Sequence, residues 1–349
     1  MNRKRFNQLL VNTFLANLTT SYLWFALTFW VYLETRSVLA TAFIGGSYML
    51  LIAVVGVPFG TWVDRTRKKR VMVVAQLVTT AAFALAVSLY LVTPRAELLR
   101  IGGWQFALFV GIVLVGAVVE SARNIALSTC VTLLIDEAER DKVNGLVGMV
   151  GGLSFAATSV FSGLSVGQLG MTWTLVIALV LSVASLLHLL PVQVPEAEIV
   201  HTDGAPKAVD FGGAFRAIRA VPGLTGLVLF ACVNNLLGGV FMALLDPYGL
   251  TLVSVEVWGL LWGVLSFGFI IGAGWVSRKG LGPQPLRALL LANLAMWLIS
   301  MGFTIRENIW LLAIGTLGYL ALIPVAEAAE QTVLQKVVPF EKQGRVFGL

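Results

Sequence analysis

Charge is what this chain has least of. Only 12% of its 349 residues are Asp, Glu, Lys or Arg, about half the share of a soluble domain. A surface so poor in ions cannot cover a water-soluble protein of this length. Histidine and cysteine are scarcer still, at two each. His188 falls near the end of an apolar run and His201 in a polar stretch, and neither has a partner. Cys130 and Cys232 lie inside apolar runs, with no CxxC or histidine spacing. They read as buried small hydrophobes, and no disulfide framework or metal site follows from them. No P-loop or HExxH occurs, so phosphate-cradling and zinc-hydrolase chemistry are excluded, and no nucleophile–base pair stands out. Nothing points to an enzyme, a cofactor or a metal.

What fills the chain instead is hydrocarbon, since 58% of residues are hydrophobic. A bilayer core takes about 20 apolar residues per helix. Ten segments meet that length: 8–33, 40–62, 71–93, 105–134, 145–168, 171–193, 222–245, 256–276, 286–305 and 308–336. Lipid offers backbone groups no water to bond, and the runs lack the alternation of barrel strands, so helices are expected. The class is an all-α polytopic membrane protein, with the lipid bilayer as its first partner. Met1-Asn2-Arg3-Lys4-Arg5 imitates the charged start of a signal peptide. The apolar run behind it is too long, however, and no cleavage site follows promptly. It is read as the first membrane helix.

The net charge of +6 does not imply nucleic acid, because the basic residues sit in short connections between apolar runs. Their densest cluster is Gly60-Thr61-Trp62-Val63-Asp64-Arg65-Thr66-Arg67-Lys68-Lys69-Arg70. With the N-terminus inside the cell, nineteen Lys and Arg fall on the inner side. Only Arg36, Arg95, Arg100 and Arg306 fall outside, and Arg123 lies within a segment. That bias favours a cytoplasmic N-terminus in the cell (inner) membrane.

One connection is long and polar. It carries Glu196, Glu198, His201, Asp203, Lys207 and Asp210, broken by Pro195 and Gly204-Ala205-Pro206. The expected layout is a six-helix half over 1–194, a cytoplasmic linker over 195–221 and a second half over 222–349. Within the linker, Phe211 to Ala220 is read as a short amphipathic helix at the membrane surface. The halves echo each other. Trp62-Val63-Asp64-Arg65 recurs as Trp275-Val276-Ser277-Arg278, and Lys142-Val143-Asn144-Gly145-Leu146 as Arg345-Val346-Phe347-Gly348-Leu349. Parallel repeats of this kind build many transporters. By the same symmetry Gly348-Leu349 should open an eleventh helix. The ten segments are then ten of an expected twelve.

Ions inside the segments are the best functional pointers. Glu120, Arg123 and Asn124 stand at i, i+3 and i+4 on the fourth segment, hence on one face. Glu120 lies about 24 Å along the helix from Asp136, deep in the membrane. Glu327, Glu330 and Gln331 repeat that spacing on the tenth. Charge in hydrocarbon is costly and marks pathways, proton relays or structural ion pairs. Glycines at four-residue spacing, among them Gly56 and Gly60, Gly148 and Gly152, Gly268 and Gly272, mark faces where helix backbones approach closely.

The pattern Gly-x-x-x-Asp-Arg-x-x-basic-basic, Gly60 to Lys69, resembles the loop between helices two and three of the major facilitator superfamily. The usual glycine after Arg65-x is Arg67 here. The ending Gly344-Arg345-Val346-Phe347-Gly348-Leu349 is similar to the multidrug or macrolide exporter branch, although the fifth segment lacks the Gly-Pro pair common in drug/proton antiporters. The resemblance implies a two-half helical bundle that exports small amphipathic compounds or drugs, coupled to protons, by alternating access. It implies a monomer whose partners are a small-molecule substrate, protons and lipid. An uptake transporter, and a truncated remnant or scaffold that carries nothing, are the alternatives. Helices one, four, seven and ten line the cavity in that superfamily. Asn17, Trp24, Glu120, Arg123, Asn124, Asn234, Asn235, Glu327 and Glu330 are therefore the cavity candidates. Gly60, Asp64, Arg65, Lys68 and Lys69 form the gating loop, which in the superfamily docks on the start of helix eleven. With no such helix expected here, that latch would lack its partner.

Overall fold

The computed structural model describes residues 3–194, 196, 211–253, 255–303, 305–340 and 343–347. The linker residues Pro195, Glu198, His201, Asp203, Lys207 and Asp210 lie outside the described residues, as do Lys342 and Gly348-Leu349. Among the described residues all regular structure is helical. The helices are α1 (Arg3–Thr35), α2 (Val38–Arg65), α3 (Lys68–Val92), the short α4 (Arg95–Leu98), α5 (Trp104–Leu134), α6 (Arg140–Leu164) and α7 (Gly170–Leu189). After the linker come α8 (Phe211–Ala220), α9 (Leu224–Leu252), α10 (Val255–Leu265), α11 (Phe267–Lys279), α12 (Pro285–Phe303), α13 (Ile309–Val337) and α14 (Gln343–Phe347).

The helices begin where side chains can take up the first free amides. Ser37 Oγ accepts from the Ala40 amide at 3.2 Å at the start of α2. Asn308 Oδ1 accepts from the amides of Trp310 and Leu311 at the start of α13. Nine helical runs among the described residues are long and apolar enough to span a bilayer. The tenth expected segment is not separate by this measure, because Glu137–Leu189 runs as one helical stretch. At its joint a π-turn, Ser165–Leu169, leads into Gly170 at φ +76°. Only glycine takes that backbone angle without strain, so the chain turns there with no intervening coil. Many Leu, Val, Ile and Phe side chains lie on the outside, Leu39, Val92 and Ile305 among them, as lipid-facing surfaces require and soluble surfaces rarely tolerate. Cys130 is buried as expected, but Cys232 is exposed on α9. An apolar thiol on a lipid-facing helix needs no burial in protein.

The chain falls into two compact units. The first comprises Met1–Ile135, Ala157–Phe211 and Phe340–Leu349. Here α1, α3, α5 and α7 pack around Leu23, Leu27, Trp30, Phe83, Phe109 and Leu175. The Trp30 ring meets Tyr90 and Phe109 edge-on. Helix α2 lies on α5, and α14 lies on α2. The expectation that the loop after α2 has no docking partner is therefore corrected. Phe340 and α14 are that partner, because one helical turn is enough to cover the end of α2.

The second unit comprises Asp136–Ala156 and Gly212–Pro339. Helices α11 and α12 pack on α13 around Leu289, Met296, Tyr319 and Leu320. Gly268 and Gly272 make the α11–α13 approach possible. A Cβ on Gly268 would sit 2.7 Å from the Leu317 carbonyl oxygen, and one on Gly272 would run into the Ala321 carbonyl. This pair is thus a packing seam inside one unit. A second face of α11 takes the start of α6: a Cβ at Gly145 would meet the Ser277 amide at 2.8 Å, and one at Gly152 the Phe269 side chain at 3.0 Å.

Candidate functional site

The basic loop folds more tightly than its sequence suggests. Helix α2 ends at Arg65 and α3 begins at Lys68, so only Thr66 and Arg67 connect them. Thr66 is extended, and Arg67 has φ −55° and ψ 127°. Neither angle needs glycine, so Arg67 fits where the superfamily's usual residue has no side chain. Glu196 holds the first turn of α3. Its two carboxylate oxygens accept from the Lys68 amide at 2.6 Å and the Lys69 amide at 3.0 Å. This is charge at a helix N-terminus, where the dipole favours it. Lys69 Nζ donates to the Leu190 carbonyl at 2.7 Å, and Lys68, itself buried, places Nζ 5.2 Å from the Phe340 ring. Gly60 is buried and Asp64 and Arg65 are half-buried. Five gating-loop residues expected from sequence thus cluster at one end of the first unit, with Glu196 and Phe340 as the members sequence missed.

Inside the first unit the polar side chains form one connected system. Arg123, 1% exposed, donates to Glu120 Oε1 at 2.7 Å, to Asn12 Oδ1 at 2.8 Å and to Thr13 Oγ1 at 3.3 Å. Asn12 Nδ2 donates to the Ser185 carbonyl at 2.7 Å. Ser185 Oγ donates to Gln76 Oε1 at 3.1 Å, and Gln76 Nε2 donates to Ser182 Oγ at 3.1 Å. The chain of bonds ties α5, α1, α7 and α3 together. An arginine with several acceptors is the arrangement that makes a buried charge tolerable. Glu120 is 5% exposed, and its Oε2 has no hydrogen-bond partner among the described residues. That carboxylate acts electrostatically on the Tyr48 phenol of α2. Tyr48 in turn packs on Trp24 with ring centroids 4.6 Å apart. The structure therefore brings Trp24, Tyr48 and Glu120 into one neighbourhood. Asn17 is half-buried on α1, and Asn124 is exposed, so Asn124 does not share the environment of Glu120 and Arg123.

The second unit is built differently. Glu327 on α13 is exposed and Glu330 is half-buried. Glu330 is an electrostatic neighbour of Glu327. No hydrogen bond or ion pair links either to another described residue. Pro324 stands one turn earlier, where its missing N–H leaves a helix carbonyl without its usual partner. Asn234 on α9 accepts from Trp297 Nε1 at 2.8 Å. Beside it Phe241 and Tyr319 pack at 4.7 Å, with Trp297 edge-on to Tyr319. Asn235 is exposed. Nearer the end of α13, Asn144 Nδ2 donates to Thr332 Oγ1 at 2.9 Å and to Gln335 Oε1 at 2.8 Å, clasping α6 to α13.

Sequence reasoning passed over Asn12, Gln76, Ser185 and Tyr48. Gln76 carried a signal, since a lone amide in an apolar helix seeks a partner. Asn12 lay one turn and a half from Asn17, which drew the attention instead.

A family model of the Major Facilitator Superfamily matches residues 9–349. No curated protein sequence matches the chain. Among solved structures, the human organic anion transporter MFSD10 (TETRAN) has a TM-score of 0.76 at 15% identity, over 100% of this chain and 89% of that one. A bacterial homologue of the iron transporter ferroportin, in an outward-facing state, has 0.74 at 15%, over 99% and 87%. The proton:xylose symporter XylE bound to 6-bromo-6-deoxy-D-glucose has 0.66 at 14%, over 100% and 85%. Likeness at these identities shows the fold alone.

Proposed function

The chain belongs to the Major Facilitator Superfamily of membrane transporters, and on that premise we propose that it is a proton-coupled exporter of small amphipathic compounds. It works as a monomer in the cytoplasmic membrane with its N-terminus inside. Residues 1–194 and 222–349 act as the two halves of an alternating-access machine, with 195–221 as their link. The inner-side excess of Lys and Arg supports the orientation.

The carrying observation is Glu327. It sits in a membrane helix beside a second carboxylate, and no described base neutralises it. An ionisable group kept at such cost is a functional site by default. Paired acids that share a proton suit exchange of that proton for a substrate. Within the second unit, Phe241, Tyr319 and Trp297 with Asn234 offer aromatic surface suited to an apolar, weakly polar substrate, and within the first unit Trp24 with Tyr48 offers the same kind of surface. Asn235 adds an amide in the second unit, and Asn17 and Asn124 add theirs in the first. Glu120 and Arg123 hold the first unit's polar framework, and the Gly60 to Lys69 loop works as the gate.

Ethidium movement in proteoliposomes tests this. Acid on the outer side should drive dye out, and collapsing the gradient with nigericin should stop it. Dye movement identical to that of protein-free vesicles contradicts transport, and gradient-driven uptake contradicts export.

A further inference from the structure

On the outer face of the second unit, α11, α12 and α13 enclose a groove of about 510 Å³. Trp275, Ile271, Leu281, Leu291, Ala295 and Leu322 line it, and its wall is almost wholly apolar. Three cations stand at one end. Arg278 and Lys279 follow Trp275 at i+3 and i+4 on α11, and Arg287 precedes Leu291 by four on α12, so each shares a face with a lining residue. All three are exposed, and none makes a hydrogen bond or ion pair with a described residue. Trp275 itself is 53% exposed at that end, the position where tryptophan meets a membrane interface. The loop between the helices is fixed in place. Asp141 Oδ2 accepts from the Leu281 amide at 2.7 Å, and Gly280 and Gly282 both have positive φ. Leu281 is thereby turned into the groove. Asp141 is the one acid shown at this loop, and that bond to the backbone already engages it.

An apolar slot whose lining helices carry three exposed cations, each one turn from a lining residue, matches one kind of molecule. We propose that this groove is a binding site for an anionic phospholipid, with an acyl chain against Leu291 and Ala295 and the headgroup phosphate on Arg278, Lys279 and Arg287. A zwitterionic lipid offers the same chain but no net charge for the cations. A water-soluble phosphate offers the charge but nothing for the slot. Glu327 is not among the residues that line the groove, and the proposal does not depend on what is transported.

Native mass spectrometry of the purified protein, with phosphatidylglycerol or phosphatidylcholine added at equal concentration, tests the assignment. The wild type should retain phosphatidylglycerol preferentially. Replacing Arg278, Lys279 and Arg287 with Gln should lower that retention by about fivefold per cation removed. Leu291→Trp fills the slot without touching charge, and it should weaken both lipids. Glycerophosphoglycerol, which has no chains, should fail to compete. Equal retention of the two lipids by the wild type, or a preference that survives the triple replacement, overturns the proposal. So does effective competition by glycerophosphoglycerol. The three cations are exposed, and unchanged size-exclusion behaviour will show that the variants are folded.

Discussion

Glu120 on α5 and Glu327 on α13 both stand within long apolar helices, yet their surroundings differ. Glu120 is buried, and its own helix supplies Arg123 one turn away. That arginine is anchored in turn by Asn12 and Thr13. Glu327 is exposed, its near neighbour is another acid, and no described residue bonds it. A charge that is paired and enclosed fixes helix positions. A charge left open beside a like charge is free to gain and lose a proton. Under the proposed function, the pair in the first unit serves as framework and the acids in the second as the working groups.

The sharpest way to break this comparison is to remove the framework arginine. Arg123→Ala leaves Glu120 and Asn12 buried without their donor, at a cost of about 3–5 kcal/mol. Thermal unfolding in detergent should show a large fall, and Glu327→Gln should show almost none. Exchanging Glu120 and Arg123 together for Met should cost much less than Arg123→Ala, since a buried pair is often replaceable by apolar groups. If the double and single variants fall equally, the network is not what the arginine serves.

Transport should show the reverse order. Glu327→Gln is expected to lower gradient-driven export on the order of 100-fold with folding unchanged, measured as initial dye efflux. Smaller effects sharpen the boundaries of the two regions. Asn144→Ala removes the clasp on Thr332 and Gln335 and should cost about 1–2 kcal/mol, read by the same unfolding assay. Glu196→Ala takes the carboxylate from the first turn of α3 and should cost about 1 kcal/mol. Its signature is faster amide exchange at Lys68 and Lys69.

Much of the fold was readable because the bilayer leaves few choices. A backbone in lipid must bond to itself, so run length alone marked nearly every helix. Phe211–Ala220 was expected as a helix and is one. Residues 169–170 were read as a break between two spans, and the structure stays wound through the π-turn Ser165–Leu169 into Gly170. Pattern reading sees apolar length, not whether the backbone stays wound. The site was half legible. Spacing put Glu120, Arg123 and Asn124 on one face, but a helix face is wide, and Asn124 is exposed where Arg123 is not. The bond from Arg123 to Asn12 joins residues 111 positions apart. No local periodicity encodes such a partner, and the same holds for Glu196 on the Lys68 amide.

Proton release on substrate binding bears on the working acids without the complication of vesicles. Purified wild-type protein in weakly buffered detergent should release protons when ethidium is added. Glu327→Gln with Glu330→Gln should bind the dye and release none. Equal proton release from both proteins would contradict the assignment of α13 as the coupling helix.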